Sequence, residues 1–424
     1  MNVSDSEKIA GLLQPLGYGL TADPSSADLI ILNTCSVRAK AEEKVYGHLG
    51  RYKPLKQERP HLLLAVGGCV AQQEGERLLR KVPFLDLVFG THNLHLLPEM
   101  VRAAEQGERR VETGFMDRDE RLDLFPVDAQ QGGITRFVTV MQGCDNFCSY
   151  CIVPYVRGRE ISRRSAEILA EIRGMAEQGV REVTLLGQNV NSYGLKGESD
   201  INFAALLRAV SAIDGIERIR FTTSHPKDIS SALIDCLADL PKLCSHIHLP
   251  DQSGSDRVLT RMRRGYTRDQ YLEKVALLRA ARPGLQITGD MIVGFPGEDD
   301  GEFRETLALM EEVRYADLFS FMYSPRPGTE AAGYDGMIPR AEKQARLAEL
   351  QALQRTVTAE TNRSLVGTVQ TLLVEGVSKK DGQVYGRTSG NRIVNFTGHR
   401  SLIGSFVEAT ISRAYQNSLL GELR

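Results

Sequence analysis

The 424-residue chain has no apolar run long enough to cross a bilayer; stretches such as LLLAV at 62–66 have the length of a core strand. It opens MNVSDSEKIA, with no basic segment leading into an apolar one, so no secretion signal is expected. Cysteine is scarce, at seven residues, which excludes a disulfide scaffold. With neither export signal nor span, the expected compartment is the reducing cytoplasm, where clustered cysteines point to metal binding or catalysis. An excess of charge is also missing. The formal net charge of −2 excludes a chain that binds nucleic acid along its whole length, so any such surface is local. Apolar residues at 42% and charged residues at 25% are ordinary for a soluble globular protein, and the length accommodates about three domains.

Three patterns follow one another along the chain. Residues 1–107 alternate helix and strand: a helical stretch from Ser4, the strand ADLIILNTC ending at Cys35, a helix over RAKAEEKVYGHLGRY, the strand HLLLAVGGC ending at Cys69, and the strand DLVFG. This alternation predicts a doubly wound α/β domain with a parallel sheet, and places both cysteines past the carboxyl ends of their strands, where such sheets hold ligands. The chain starts with a helix and no strand before it. Residues 108–133 read as a linker. Residues 134–362 repeat strand-then-helix six times (RFVTVM, EVTLL, RIRFTT, HIHL, QITGDMIV, DLFSFM) and close on a long helix, which predicts a partial (β/α)6 barrel. Residues 363–424 turn to short alternating strands, a small all-β barrel. That segment holds eight Lys and Arg against four Asp and Glu, a local excess suited to nucleic acid. Cys236 and Cys244 lie outside this arrangement and are expected to be buried as small apolar residues.

The stretch GCDNFCSYC, residues 143–151, follows the first barrel strand and carries Cys144, Cys148 and Cys151. A structural zinc site takes four ligands, and no second cysteine pair stands nearby. Iron–sulfur clusters are held by thiolates, usually four; three on a 4Fe-4S cluster leave one iron open to a further ligand.

Cys144-x3-Cys148-x2-Cys151 resembles the signature of radical S-adenosylmethionine (SAM) enzymes. The resemblance implies that the open iron binds SAM and that electron transfer into the sulfonium yields a 5′-deoxyadenosyl radical. It also implies that Tyr150 lies beside the adenine and that the GFPGE turn from Gly294 to Glu298 supports the adenosyl group. Eight ordered segments (NTCSVRAKAEEK, GGCVAQ, MQGCDNFCSYCIVPYVRGRE, LLGQNVNSYG, FTTSHP, HLPDQSGSD, IVGFPGE and GRTSGNRIVNF) resemble the methylthiotransferases, most of all their MiaB-type tRNA branch. The match spans nearly the whole chain. It implies an N-terminal α/β domain, a radical-SAM partial barrel and an RNA-binding TRAM β-domain.

In that family a second 4Fe-4S cluster is held by three cysteines of the N-terminal domain. Cys35 and Cys69 match two of them. The third lies in a GCQMN segment, and this chain begins at MN, so the expectation is that the natural protein starts upstream or that this copy has lost a ligand. The implied reaction places a methylthio group on C2 of N6-isopentenyl-adenosine beside the anticodon of tRNA, using two SAM molecules and an electron donor such as a flavodoxin or ferredoxin. A base in an anticodon loop is already largely unpaired, so presenting it is inexpensive. The chain is expected to act as a monomer away from membranes.

Two arginine runs, Arg157, Arg159, Arg163 and Arg164, then Arg261, Arg263 and Arg264, read either as phosphate contacts or, more often, as solvated faces. Gln188 and Asn189 past the second barrel strand, His225 past the third, and Gln252 and Ser253 past the fourth are candidate contacts to cofactor or substrate, although lone polar loop residues more often cap turns. Asp251 stands where the family generally carries an apolar residue. The alternatives are a sibling methylthiotransferase acting on N6-threonylcarbamoyl-adenosine or a ribosomal-protein aspartate, a non-catalytic iron–sulfur RNA-binding protein, and a zinc-dependent RNA module.

Overall fold

Four parallel strands in the order β1–β2–β3–β4 form the sheet of the first unit: β1 (Leu29–Thr34), β2 (Leu63–Gly68), β3 (Leu87–Phe89) and β4 (Arg110–Glu112). The computed structural model describes residues 1–36, 39–116, 133–196 and 199–424. All six residues of β2 are buried, because helices cover both of its faces. Leu63 and Ala65 point to one side, against Ile9, Leu13, Leu97 and Met100 from helices Asn2–Leu13 and Leu97–Glu105. Leu64 and Val66 point to the other, against Val45, Leu49, Val70 and Leu78. A continuous apolar run is what a strand with two covered faces requires.

The stretch read as a linker needs correction. Its residues Arg110–Glu112 form β4, paired in parallel with β3, so the N-terminal sheet extends past residue 107. Residues 117–132 of that stretch lie outside the described residues. Past β5 (Thr135–Thr139), which belongs to the second unit, the chain returns to the first with β6 (Met141–Gln142) and β7 (Ile161–Ser162), a short antiparallel pair flanking the cysteine loop. The first unit therefore takes 141–147 and 151–164 by contact, although sequence assigns them to the barrel.

In the second unit the six expected barrel strands are present: β5, β8 (Glu182–Leu186), β9 (Arg218–Thr222), β10 (His246–His248), β11 (Gln286–Val293) and β12 (Asp317–Met322). β5, β8 and β9 pair in parallel, as do β10, β11 and β12. An isolated parallel bridge from Ile219 to Leu243, three residues before β10, links the two three-stranded sheets. Helices Ser165–Glu177, Phe203–Ser211, Ser231–Asp239, Arg268–Ala281 and Asp300–Val313 alternate with the strands, and the last two open with capping boxes at Thr267/Gln270 and Asp299/Glu302. The long helix Arg340–Ser364 leads to a closed barrel of β13 (Val369–Val377), β14 (Gln383–Thr388), β15 (Ile393–Thr397), β16 (Phe406–Ala414) and β17 (Leu419–Leu423), around Leu372, Val374, Phe396 and Ile411.

The small barrel seats on the amino-terminal ends of the large one. Arg218, the first residue of β9, donates to the carbonyls of Arg387 (2.6 Å) and Thr371 (2.7 Å) and lies over the Phe406 ring. Arg220 donates to the carbonyls of Thr388 and Ser389 at 2.8 and 3.0 Å, and Arg392 to that of Ala316 at 2.7 Å. The carboxyl ends of the strands stay clear of it. Cys236 and Cys244 are buried, as expected.

Candidate active site

The seven cysteines are all unbridged. Three sit on one loop, Gly143–Cys151, which leaves β6 and enters helix Val153–Arg157. In the first unit, Gly143 has φ +79°, and a Cβ there would lie 2.1 Å from the Arg159 carbonyl, so the loop turns at the one residue type that fits. The Cys144 amide donates to the Gly158 carbonyl at 3.3 Å. Asp145 accepts from the Glu160 amide at 3.1 Å and pairs with Arg159, whose guanidinium stacks on Phe147. In the second unit, Ser149 donates its amide to the Met262 carbonyl (3.0 Å) and its hydroxyl to that of Arg261 (2.8 Å), and accepts from the Ala331 amide. Cys144 and Cys148 are buried and Cys151 is half-buried. Among the described residues no three His, Cys, Asp or Glu side chains converge on a metal-sized point.

Cys148 Sγ accepts a 3.4 Å hydrogen bond from Arg264 Nη1. That guanidinium is buried and fixed by two further donations, to the Pro250 carbonyl (2.7 Å) and the Tyr266 hydroxyl (3.0 Å). Tyr266 in turn donates to the Asp251 carbonyl at 2.8 Å. Asp251 is fully buried, with its Oδ2 accepting from the Tyr315 hydroxyl at 2.6 Å, and burial pushes its carboxyl up to about 7. The anomalous aspartate thus has a place, at the foot of the arginine that touches Cys148.

In the first unit Thr34 and Gly68 are register partners at the ends of β1 and β2, so Cys35 and Cys69 follow on adjacent strand ends. Thr34 Oγ1 ties those ends together, donating to the Gly67 carbonyl and accepting from the Val70 amide. Buried Cys69 packs with Ile152 and Val156 and accepts a 3.4 Å hydrogen bond from Arg157 Nε. Arg157 is buried as well and is paired to Asp5 at 2.7 Å.

The solvated-face and phosphate readings of the arginine runs are therefore wrong for Arg157 and Arg264, whose guanidiniums point inward to sulfur. Arg163 is buried too, whereas Arg159, Arg164 and Arg263 are exposed. Nothing in the spacing of the runs separates these groups. Tyr266 and Tyr315 escape sequence reading for the same reason, as does Asn191, whose side chain exchanges hydrogen bonds with the His225 backbone.

The remaining candidates divide. His225 is buried, and burial pushes its imidazole well below its ordinary range, with Arg264 and Lys227 adding to the effect. Its Nδ1 accepts from the Lys227 amide, so the neutral ring carries its proton on Nε2, a buried donor with no partner among the described residues. Asn189 gives its amide nitrogen to Asp228 at 2.7 Å and leaves Oδ1 buried and, among the described residues, unpartnered, as is the Ser224 hydroxyl. Each such atom costs about 1–3 kcal/mol unless something fills it. These three lie past the carboxyl ends of β8 and β9 and suit a polar, zwitterionic ligand. Gln188 is half-buried beside Asn189.

Gln252 is held in the left-handed region at φ +77°, its backbone continuing the sheet against β11, and Ser253 is tied to Thr306. Gly294, at φ +69°, donates its amide to Glu298, which also pairs with Arg346 of the long helix, so Glu298 closes the turn itself. Half-buried Tyr150 packs on Val258, Met262 and Phe295. Thr223 and Gln252, two of the six described non-glycine residues at positive φ, follow the carboxyl ends of β9 and β10, and strain of this kind collects at working sites.

A partial barrel of parallel strands, together with the spacing Cys144-x3-Cys148-x2-Cys151 after its first strand in the sequence, defines a radical SAM enzyme, and the model "Radical SAM superfamily" matches residues 138–310. "Uncharacterized protein family UPF0004" matches 1–90 and "TRAM domain" matches 363–423. A radical SAM methyltransferase from Kitasatospora setae, TsrM, solved with cobalamin and a 4Fe-4S cluster, superposes with a TM-score of 0.61 at 16% identity, over 78% of this chain and 71% of that one. The chain is 69% identical to the tRNA-2-methylthio-N(6)-dimethylallyladenosine synthase of Geobacter sulfurreducens over 423 residues, 100% of this chain and 95% of that protein. It is 68% identical to the enzyme of that name from Geotalea uraniireducens, over 100% and 96%. The chain belongs to the family of tRNA-2-methylthio-N(6)-dimethylallyladenosine synthases, the radical SAM tRNA methylthiotransferases.

Proposed function

We propose that this protein transfers a methylthio group to C2 of N6-dimethylallyladenosine beside the anticodon of tRNA, in the cytoplasm. The observation that carries the reading is the three-thiol spacing of Cys144, Cys148 and Cys151, with Asn189 Oδ1, Ser224 Oγ and His225 Nε2 of the second unit buried and without a hydrogen-bond partner among the described residues. In this reading the three thiolates hold a 4Fe-4S cluster. The three polar atoms receive polar groups of SAM, and Tyr150 offers an apolar face to its adenine. When bound, the cluster supplies the electron that cleaves the SAM sulfonium to a 5′-deoxyadenosyl radical. Cys35 and Cys69 are two ligands of a second cluster, whose further ligand lies outside this pair.

The residues of the chain do the rest. Neutral His225 donates without adding a cation to the site. Half-buried Tyr266 stacks on buried Tyr271 and covers one side of the Arg264 guanidinium. The β-barrel of 363–424 supplies contact to RNA. Its Arg413 lies 5.2 Å over the ring of exposed Tyr415, beside Arg363, a pairing of cation and aromatic suited to an RNA strand. A one-electron carrier such as a flavodoxin or ferredoxin feeds the loop cluster.

The test is anaerobic incubation of the reconstituted, reduced protein with SAM and an anticodon stem-loop carrying N6-dimethylallyladenosine. Mass spectrometry of the digested RNA is expected to show the methylthio adduct. Its appearance only on N6-threonylcarbamoyl-adenosine, or only on a ribosomal protein, would overturn the substrate assignment. Failure to form 5′-deoxyadenosine would overturn the reading as a whole.

A further inference from the structure

The arginines at Cys148 and Cys69 repeat one arrangement in two separately folded places. Each is a fully buried guanidinium that donates a 3.4 Å hydrogen bond to a cysteine sulfur expected to ligate iron. A guanidinium keeps its charge in any protein environment, so a buried one requires a nearby negative charge. Their counter-charges differ. Arg157 has the Asp5 carboxylate at 2.7 Å, itself buried. Arg264 makes no ion pair with a carboxylate among the described residues; it is held by a carbonyl and a tyrosine hydroxyl, and what faces its Nη1 is Cys148 Sγ. A thiolate bound to a negatively charged cluster is the partner this cation lacks.

A hydrogen bond to a ligating sulfur withdraws charge from the cluster and favours its reduced form. We propose that Arg264 and Arg157 are positioning residues that raise the reduction potentials of the two iron–sulfur clusters, and that the Asp5 carboxylate makes their effects unequal by offsetting the charge of Arg157 but not that of Arg264. The proposal rests on the two-cluster reading above. It gives two arginines, read from sequence as solvated faces or phosphate contacts, a role in deciding which cluster takes up an electron first.

The experiment is an anaerobic redox titration of the reconstituted full chain, followed by electron paramagnetic resonance, with iron and sulfide measured for every variant. In Arg264→Gln, the ratio of reduced to oxidised loop cluster at a fixed poise is expected to fall about tenfold, ~59 mV for one electron. Arg157→Gln is expected to lower the other midpoint by less, and Asp5→Asn to raise it. A midpoint in iron-replete Arg264→Gln equal to that of the unsubstituted protein overturns the proposal.

Should that variant lose its iron, unsubstituted protein labelled with 15N in its arginine side chains decides the matter by pulsed resonance. Coupling of a guanidinium nitrogen to the reduced cluster supports the proposal, and its absence overturns it. Cys69→Ala separates the two readings. If it keeps the full iron content, the second cluster is not at Cys69 and the Arg157 half falls, while the Arg264 half stands on its own titration.

Discussion

Asp251 and Tyr315, 64 residues apart in sequence, meet in a fully buried hydrogen bond of 2.6 Å from hydroxyl to carboxyl. The Tyr271 hydroxyl lies 2.9 Å from that of Tyr315, and Tyr266 caps the Asp251 carbonyl. Burial raises this carboxyl to about 7, opposed by the Tyr315 hydrogen bond and more weakly by Arg264.

A pH dependence of stability follows from the burial of this carboxyl. Below about pH 4 both folded and unfolded Asp251 are protonated and the group contributes nothing. Between about pH 4 and 7 the folded chain keeps a proton that the unfolded chain releases, so stability falls as pH rises. Above about pH 7 the loss is complete, with an upper limit on the order of 4 kcal/mol at ~1.4 kcal/mol per unit. Asp251→Asn is expected to flatten this dependence, and urea unfolding of both proteins at about pH 5 and about pH 8 checks it.

Asp5 and Arg157 form a buried ion pair, with each side chain 5% exposed. Removing one partner leaves an uncompensated charge in the interior, which costs about 3–5 kcal/mol. Asp5→Ala is expected to lower the first unit's denaturation midpoint by that measure, and Asp5→Asn by less, because it keeps the shape and one hydrogen-bond acceptor.

Gly68 lies at φ +89°, and an added Cβ would meet the Thr34 carbonyl at 2.5 Å. Gly68→Ala is expected to cost at least about 2 kcal/mol through backbone strain and to part the strand ends carrying Cys35 and Cys69. Iron content after reconstitution is the second readout, with the loss confined to the N-terminal site.

Arg218→Ala removes two hydrogen bonds to strand carbonyls of the small barrel and a stacking contact with Phe406. A loss of about 2–3 kcal/mol is expected. Limited proteolysis should then release a fragment beginning near residue 365 faster than in the unsubstituted protein.

Cys148→Ala is expected to end 5′-deoxyadenosine formation altogether. Cys69→Ala is expected to retain it while methylthio transfer stops. Liquid chromatography of the nucleoside products distinguishes the two, and 5′-deoxyadenosine from Cys148→Ala protein would refute the assignment of the loop.

Local pattern carries the six barrel strands, the helices between them and the small β-barrel, because each is written in hydrophobic period, caps and turn residues within a few positions. The same holds for the three-thiol loop, whose ligands lie within eight residues of one another. β4 was not legible. Its three residues, Arg-Val-Glu, carry almost no apolar pattern, and only pairing with β3 makes them a strand.

The linear order of residues sets the chemistry available: which thiols exist, how they are spaced, and what family of reaction such a loop serves. Which charges face Cys69 and Cys148 is set by folding alone. Arg157 and Arg264 look like their exposed neighbours Arg159 and Arg263 in any linear reading. They differ because long-range packing removes them from water and leaves sulfur, rather than solvent, in front of their N–H groups. Charge in a protein acts through distance and burial, and neither is a property of neighbouring residues in the chain.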